Sequence, residues 1–177
     1  MACAFTFFIS CENDIEKIQS FSEQKIYPTI SGKNYEILKS DSGKVRCKLV
    51  APEIKYFEEI KDPYMEFPEG IEVYFYDSAQ NESSKIKSDY AIYYNEQKLA
   101  LLRNNVQVKD LNKGDILETE ELFWDEGNEK IYSDKFTKIT GEKQTIFAKG
   151  GFECNQDFSD KIILKKTIDS SVNIEDE

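Results

Sequence analysis

The chain has 177 residues, a formal net charge of −11 from 23 Lys and Arg against 34 Asp and Glu, and no histidine. Its basic residues stand singly among the acids, which argues against nucleic acid as a partner, because a phosphate backbone demands clustered cations. The length suits one domain with one core. With 10 Tyr, 12 Phe and 1 Trp beside many Ile and Val, the composition favours pleated, half-buried surfaces and reads as all-β.

Residues 1–10, MACAFTFFIS, are uncharged and mostly apolar. Crossing a bilayer takes about twenty such residues, so the stretch reads as a signal-peptide remnant. Phe8-Ile9-Ser10-Cys11 resembles the bacterial lipobox and makes Cys11 the candidate lipidation site, with Phe8 less usual than Leu and no basic region before it. The plain alternative is an apolar strand with a free cysteine. Residues 11–33 read as a tether, in which Ile15 and Ile18 stand at helical spacing without forming an amphipathic face. Cys47 and Cys154 lack CxxC neighbours, so a zinc site is not expected, and a bond between them would require an oxidising compartment. Asn81-Glu82-Ser83 is a glycosylation sequon that matters only in a eukaryotic secretory pathway.

From Asn34 the strand signals are dense. KVRCKLVAPEIKYF alternates and is predicted to break at Pro52. FPEGIEVYFYD puts Ile71, Val73 and Phe75 on one face and Tyr74 and Tyr76 on the other. KIKSDYAIYYNEQKLALLRNNVQVKD predicts a strand, a turn at Asn95-Glu96-Gln97, a second strand, and a short Val106/Val108 strand after Asn104-Asn105. LNKGD and DEGNEK are turn compositions, each with a glycine to take positive φ. Residues 169–177 read as an acidic, solvated tail. Short strands with frequent turns predict a sandwich, barrel or jelly roll over residues 34–168.

One pattern goes beyond strand propensity. IKSDYA (86–91), LETEEL (117–122) and IYSDKF (131–136) share an order: aliphatic, any residue, Ser or Thr, acid, any residue, apolar; FECNQD (152–157) is a worn fourth copy. Positions one and three share a face, so Ile86 with Ser88, Leu117 with Thr119 and Ile131 with Ser133 are predicted to point inward, and the acid outward. The sixth residue has the wrong parity unless a β-bulge intervenes, and a bulge bends the strand as a curved sheet requires. The copies are unevenly spaced, which argues for equivalent strands of one rolled sheet and against a solenoid.

Glu118, Glu120, Glu121, Asp125, Glu126 and Glu129 crowd one region and admit three readings. Glycosidase-type acid and base must face each other from separate elements, and here neither histidine nor an activated nucleophile accompanies the acids. Asp110, Asn112 and Glu121 fall at EF-hand positions one, three and twelve, but Gly114 and Asp115 occupy positions five and six in the wrong order, between strands. The third reading, the solvated outer face of the repeated pattern, agrees with the periodicity. Leu117, Leu122, Trp124 and Ile131 then face inward.

FPEGIEVYFYD, SDYAIYYNEQKLALLRNNVQVKD, GDILETEELFWDEGNEKIYSDKFTKIT and KGGFECNQDFSDKIILKK, in that order, resemble the LptC family, the periplasmic component of the lipopolysaccharide-export transporter, in a lipoprotein-like form. The likeness runs from about Leu38 to Lys166, with Gly114 to Lys138 and Gly150-Gly151-Phe152 its most specific part. It implies an open β-jelly roll of the OstA/LptA-like kind whose layers enclose an apolar groove for the acyl chains of lipid A. It implies neither cofactor, metal site nor enzymatic activity. The implied partners are lipopolysaccharide, an inner-membrane transporter of the LptB/LptF/LptG type, and a soluble LptA-type bridge protein. The implied location is the periplasm, anchored to the inner membrane through the N-terminus, by lipid at Cys11.

Candidate groove residues are Val73, Phe75, Ile92, Tyr94, Leu101, Val106, Leu117, Leu122, Trp124, Ile131, Phe136 and Ile146; for each, simple core packing is the competing reading. Free edges of an open roll allow β-augmentation. Phe152, Phe158, Ile162 and Leu164 are the candidates for the edge that meets the bridge protein, and the strand after Asn34 for the edge that meets the membrane complex. The alternative function is a β-sandwich lipoprotein that binds carbohydrate on an outer patch of Tyr74, Tyr76 and Tyr93, as an adhesin does. A hydrolase would need carboxylates about 5–10 Å apart across a cleft.

Overall fold

The structure is a computed structural model that describes residues 26–156 and 162–172. These form fourteen strands in one antiparallel sheet. The strands are β1 (Ile30–Asp41), β2 (Lys44–Phe57), β3 (Tyr64–Phe67), β4 (Ile71–Tyr76), β5 (Glu82–Ser88), β6 (Tyr90–Tyr94), β7 (Leu99–Asp110), β8 (Ile116–Asp125), β9 (Lys130–Ser133), β10 (Thr137–Thr140), β11 (Gln144–Ala148), β12 (Phe152–Asn155), β13 (Ile163–Leu164) and β14 (Thr167–Val172).

The long strands each serve two neighbours. β2 pairs with β4 through Cys47–Val50 and with β3 through Lys55–Phe57. β7 pairs with β6 through residues 99–103 and with β5 through 107–110, and β8 pairs with β10 through 116–119 and with β9 through 123–125. Where the partner changes, the backbone bends. The bends lie at Asn34, Pro52, Gly70, Ser88-Asp89, Asn104-Asn105, Thr119-Glu120, Ser133-Asp134, Gly151 and Lys166. Asn34, Asn104, Asn105 and Lys166 have φ of 55°, 63°, 50° and 54°, and Gly70 and Gly151 of 83° and 80°. Together they crease one sheet into two layers, which is the open β-jelly roll.

The Ser/Thr-acid pattern is the chemistry of three of these bends. Ser88 Oγ donates to the carbonyl of Tyr90 at 3.0 Å, and Thr119 Oγ1 to those of Glu121 at 3.4 Å and Phe136 at 3.0 Å. Ser133 Oγ donates to the Glu121 carbonyl at 2.6 Å and accepts from Lys135 N at 3.1 Å. A hydroxyl thus satisfies backbone groups that leave the ladder at the bend. Glycine is required beside two of them. A Cβ on Gly70 would lie 2.2 Å from the Ser88 carbonyl oxygen, and one on Gly151 would lie 2.0 Å from that of Ser133.

Inward rows make the core. In the first layer Leu49, Val73, Ile86, Val108, Leu117, Ile139 and Ile146 are successive cross-strand neighbours. In the second, Tyr56, Met65, Tyr93, Ala100, Trp124, Ile131 and Cys154 are. Phe75 from the first layer meets Trp124 from the second edge-on, with ring centroids 5.2 Å apart.

Four local expectations change. Pro52 does not end β2, because it falls between the stretches paired to β4 and β3, and opposite Asn34 it lies outside the β1 ladder, so its missing N–H is not needed. Val106 and Val108 belong to β7 itself, which passes through a bulge at Asn104-Asn105. Gly114 has φ of 79°, but in DEGNEK it is Glu129 (φ 53°), not Gly127, that adopts the left-handed conformation. The strand signal extends through Val172, since Ser170, Ser171 and Val172 pair with Ile146, Thr145 and Gln144.

Candidate functional site

Between the layers, at the edge formed by β1, lies a cavity of about 280 Å³ lined by Ile37, Leu38, Lys39, Cys47, Leu49, Met65, Phe67, Tyr93, Trp124 and Glu126. β1 carries Ile37 opposite Leu49 and Lys39 opposite Cys47, so it extends the inner face of the first layer. Met65 and Phe67 of β3, Tyr93 of β6 and Trp124 of β8 face them from the second layer. Lys39 crosses the gap to pair with Glu126, the residue after β8, and Tyr93 donates its hydroxyl to the same carboxylate at 2.8 Å. Burial pushes the Tyr93 hydroxyl above its ordinary pKa, keeping it a donor. Burial also pushes the Cys47 thiol up, with Lys39 pulling it the other way.

Phe75 and Trp124 divide this apolar chamber from a larger, polar one of about 590 Å³ at the mouth of the roll, whose lining includes Arg46, Tyr76, Asp77, Asp110, Lys113 and Gln156. Gln156 spans the layers there. Its Oε1 accepts from Trp124 Nε1 at 2.8 Å, and its carbonyl accepts from Ser84 Oγ at 3.5 Å. A small third space of about 20 Å³ beyond it is walled by Val108, Leu117, Ile139 and Ile162.

Of the predicted groove residues, Trp124 lines the apolar chamber and Phe75 closes one end of it. Val73, Val106, Leu117, Leu122 and Ile131 face inward and are fully enclosed, and half-buried Ile146 shares their face. Ile92, Tyr94 and Leu101 do not line the interior. They lie on the outer face of the second layer, where the row Glu66, Ile92, Leu101, Phe123, Tyr132 runs across five strands. Leu101 is nonetheless only 8% exposed, because its row neighbours cover it. Phe136 is 52% exposed and stacks on Phe147, since the chain turns at Ser133 and parity restarts. Phe152 is no edge residue; it is enclosed between β9 and β13, while Ile162 and Leu164 are half-buried against the core. Phe158, Cys11, Ile15 and Ile18 lie outside the described residues. Lys39, Cys47, Leu49, Met65, Phe67 and Glu126 are lining residues that sequence reasoning missed. Among these, Cys47 and Leu49 carried a signal, the alternation of Val45, Cys47 and Leu49 in KVRCKLV.

The carboxylates are mostly on the wet side. Glu118 pairs with Lys138 at 3.1 Å and Glu121 with Arg103 at 2.8 Å, while Asp125 Oδ1 accepts from Asn128 N at 3.0 Å. Asp110, which suggested calcium, caps a turn by accepting from the N–H groups of Asn112 at 2.9 Å and Lys113 at 3.0 Å. Among the described residues no three potential ligands are grouped to hold a metal ion, and no helix is long and apolar enough to cross a membrane. The aromatics proposed as a sugar platform do not share a face. Tyr74 is outward but sandwiched by the ammonium groups of Lys48 and Lys85, at 4.7 and 4.8 Å from its ring, whereas Tyr93 points in.

The chain is thus a creased two-layer β-jelly roll with an apolar chamber between its layers. A family model for lipopolysaccharide-assembly, LptC-related proteins matches residues 1–167, and the chain belongs to that family. It is therefore a component of lipopolysaccharide transport that works on the periplasmic side of the inner membrane. No curated protein matches the chain.

Proposed function

We propose that the chain receives lipopolysaccharide from an inner-membrane ABC transporter of the LptB/LptF/LptG type and passes it to a soluble LptA-type bridge protein, holding acyl chains between its layers. The observation that carries this reading is the apolar chamber that opens between the layers under β1. Each buried methylene contributes about 0.8 kcal/mol, so aliphatic and aromatic walls supply affinity without a charged pocket. Among the described residues β1 pairs only with β2, and this edge is the proposed contact with the transporter. β13 and β14 close the other end, which is the proposed contact with the bridge protein. Anchoring through lipid at Cys11 belongs to the same proposal.

The test is photocrosslinking in cells that make lipopolysaccharide, with a photoreactive residue at Leu49, Met65 or Trp124 and with Tyr74 and Leu101 as outward controls. Lipid adducts from the inward set alone are the expected result. Adducts from neither set, or equally from both, would overturn it and return the chamber residues to plain core.

A further inference from the structure

The apolar chamber has one ionic feature. Among the described residues that line it, only Lys39 and Glu126 are charged, and they are paired with each other. Lys39 belongs to the inner face of an edge strand, next to a register shift between Lys39 and Ser40, and its side chain is 52% exposed. Its ammonium therefore stands at the rim, with water on one side and Ile37, Leu49 and Trp124 below. Glu126 is much less exposed, at 14%, and is held independently by the Tyr93 hydroxyl. A carboxylate fixed from behind, facing a mobile ammonium over an apolar hole, has the layout of an internal stand-in for an anionic head on an apolar tail.

We infer that Lys39 is an exchangeable anchor for the anionic group of an acylated lipid: it pairs with Glu126 when the chamber is empty and with the lipid's anion when an acyl chain fills it. This rests on the carrier reading above and adds what that reading lacks, a residue that recognises charge. The physical reasons are direct. An ammonium on a four-carbon stem swings between two acceptors within a few ångströms, as a rigid guanidinium fork does not. Exchanging one anion for another keeps the ammonium paired in both states, and the cost falls on Glu126, which gives up its counter-ion. Tyr93 keeps Glu126 hydrogen-bonded after Lys39 departs.

The experiment measures binding of two probes of equal chain length, dodecyl phosphate and dodecanol, to the full chain by calorimetry, below the micelle threshold of the phosphate and the solubility limit of the alcohol. Wild type, Lys39→Gln and Glu126→Gln are compared, with thermal melts to confirm that each is folded. The wild type is expected to prefer the phosphate. Lys39→Gln is expected to abolish that preference by weakening dodecyl phosphate far more than dodecanol. Glu126→Gln frees the ammonium and is expected to tighten dodecyl phosphate by about threefold to tenfold, the range of a half-exposed ion pair. A phosphate-to-alcohol ratio equal in all three proteins would overturn the anchor while leaving the carrier reading intact. If neither probe binds the wild type, both fall. A Glu126→Gln protein that binds both probes less well would show Glu126 to be a structural strut and overturn the exchange.

Discussion

Removing the Ser133 hydroxyl tests whether the creases are built as described. Ser133 is 1% exposed, and its Oγ serves two backbone groups, donating to the Glu121 carbonyl at 2.6 Å and accepting from Lys135 N at 3.1 Å. Ser133→Ala removes both bonds, leaving Lys135 N without this acceptor and the Glu121 carbonyl with only the longer bond from Thr119 Oγ1 at 3.4 Å. At about 1 kcal/mol of net stabilisation per bond, with a surcharge for orphaned groups, the loss is about 2 kcal/mol. For a chain of this size about 1 kcal/mol shifts Tm by roughly 2–4 °C, so Tm falls by roughly 4–8 °C. Urea unfolding should show the same loss in midpoint at constant slope. Ser88→Ala, which loses one bond of 3.0 Å to Tyr90, should cost about half as much. Ser133→Thr keeps a hydroxyl and should recover part of the loss. A Ser133→Ala protein as stable as wild type would show that the hydroxyl follows the bend and does not hold it.

Gly151→Ala places a methyl 2.0 Å from the Ser133 carbonyl oxygen at φ 80° and should lower soluble yield sharply, whereas Gly43→Ala, at φ 77° in open space, should cost only about 1 kcal/mol by urea unfolding. Ile131→Ala empties a fully enclosed site and should cost about 2–5 kcal/mol, against about 1 kcal/mol or less for exposed Phe136→Ala; equal losses would refute the inward and outward assignment. Tyr74, by its hydroxyl at 2.6 Å, and then Lys85 at 3.0 Å hold the Glu72 carboxyl below its ordinary 4.5. A lowered folded-state value contributes stability that is present above pH 4.5 and lost as pH falls through the folded value, so Glu72→Gln should lower Tm at neutral pH and converge with wild type in acid, flattening the acid limb.

Part of this architecture was legible because the bends at Ser88, Thr119 and Ser133 are built from one chemistry. An inward aliphatic residue, an inward hydroxyl and an outward acid repeat, and all three pairs are buried as read. The other bends meet the same geometric demand with different residues: Asn34 opposite Pro52, Gly70, the Asn104-Asn105 bulge, Gly151 and Lys166. No shared letters mark them. The site was harder to read because YAIYY and LALL are apolar on both faces, so alternation cannot tell Ile92 from Tyr93 or Leu101 from Leu102. Lys39 and Glu126 meet only after β1 and β8 are placed on opposite layers, a relation no local pattern encodes.

A net charge of −11 looks ill-suited to a lipid that bears phosphates, and the position of the charges resolves the conflict. The acids of β8 and its neighbours sit on the outer face, where Arg103 and Lys138 offset several of them. The inner rows from Leu49 to Ile146 and from Tyr56 to Cys154 carry no charge. An acyl chain between the layers is neutral and feels burial, not the field outside. The head group alone meets that field, at a distance where salt screens it over about 8 Å. On the carrier reading, retention then scales with methylenes buried, while the acidic exterior keeps the polar part from settling on the surface. On the inference above, the Lys39 ammonium at the rim, beside the apolar chamber, orients the entering end.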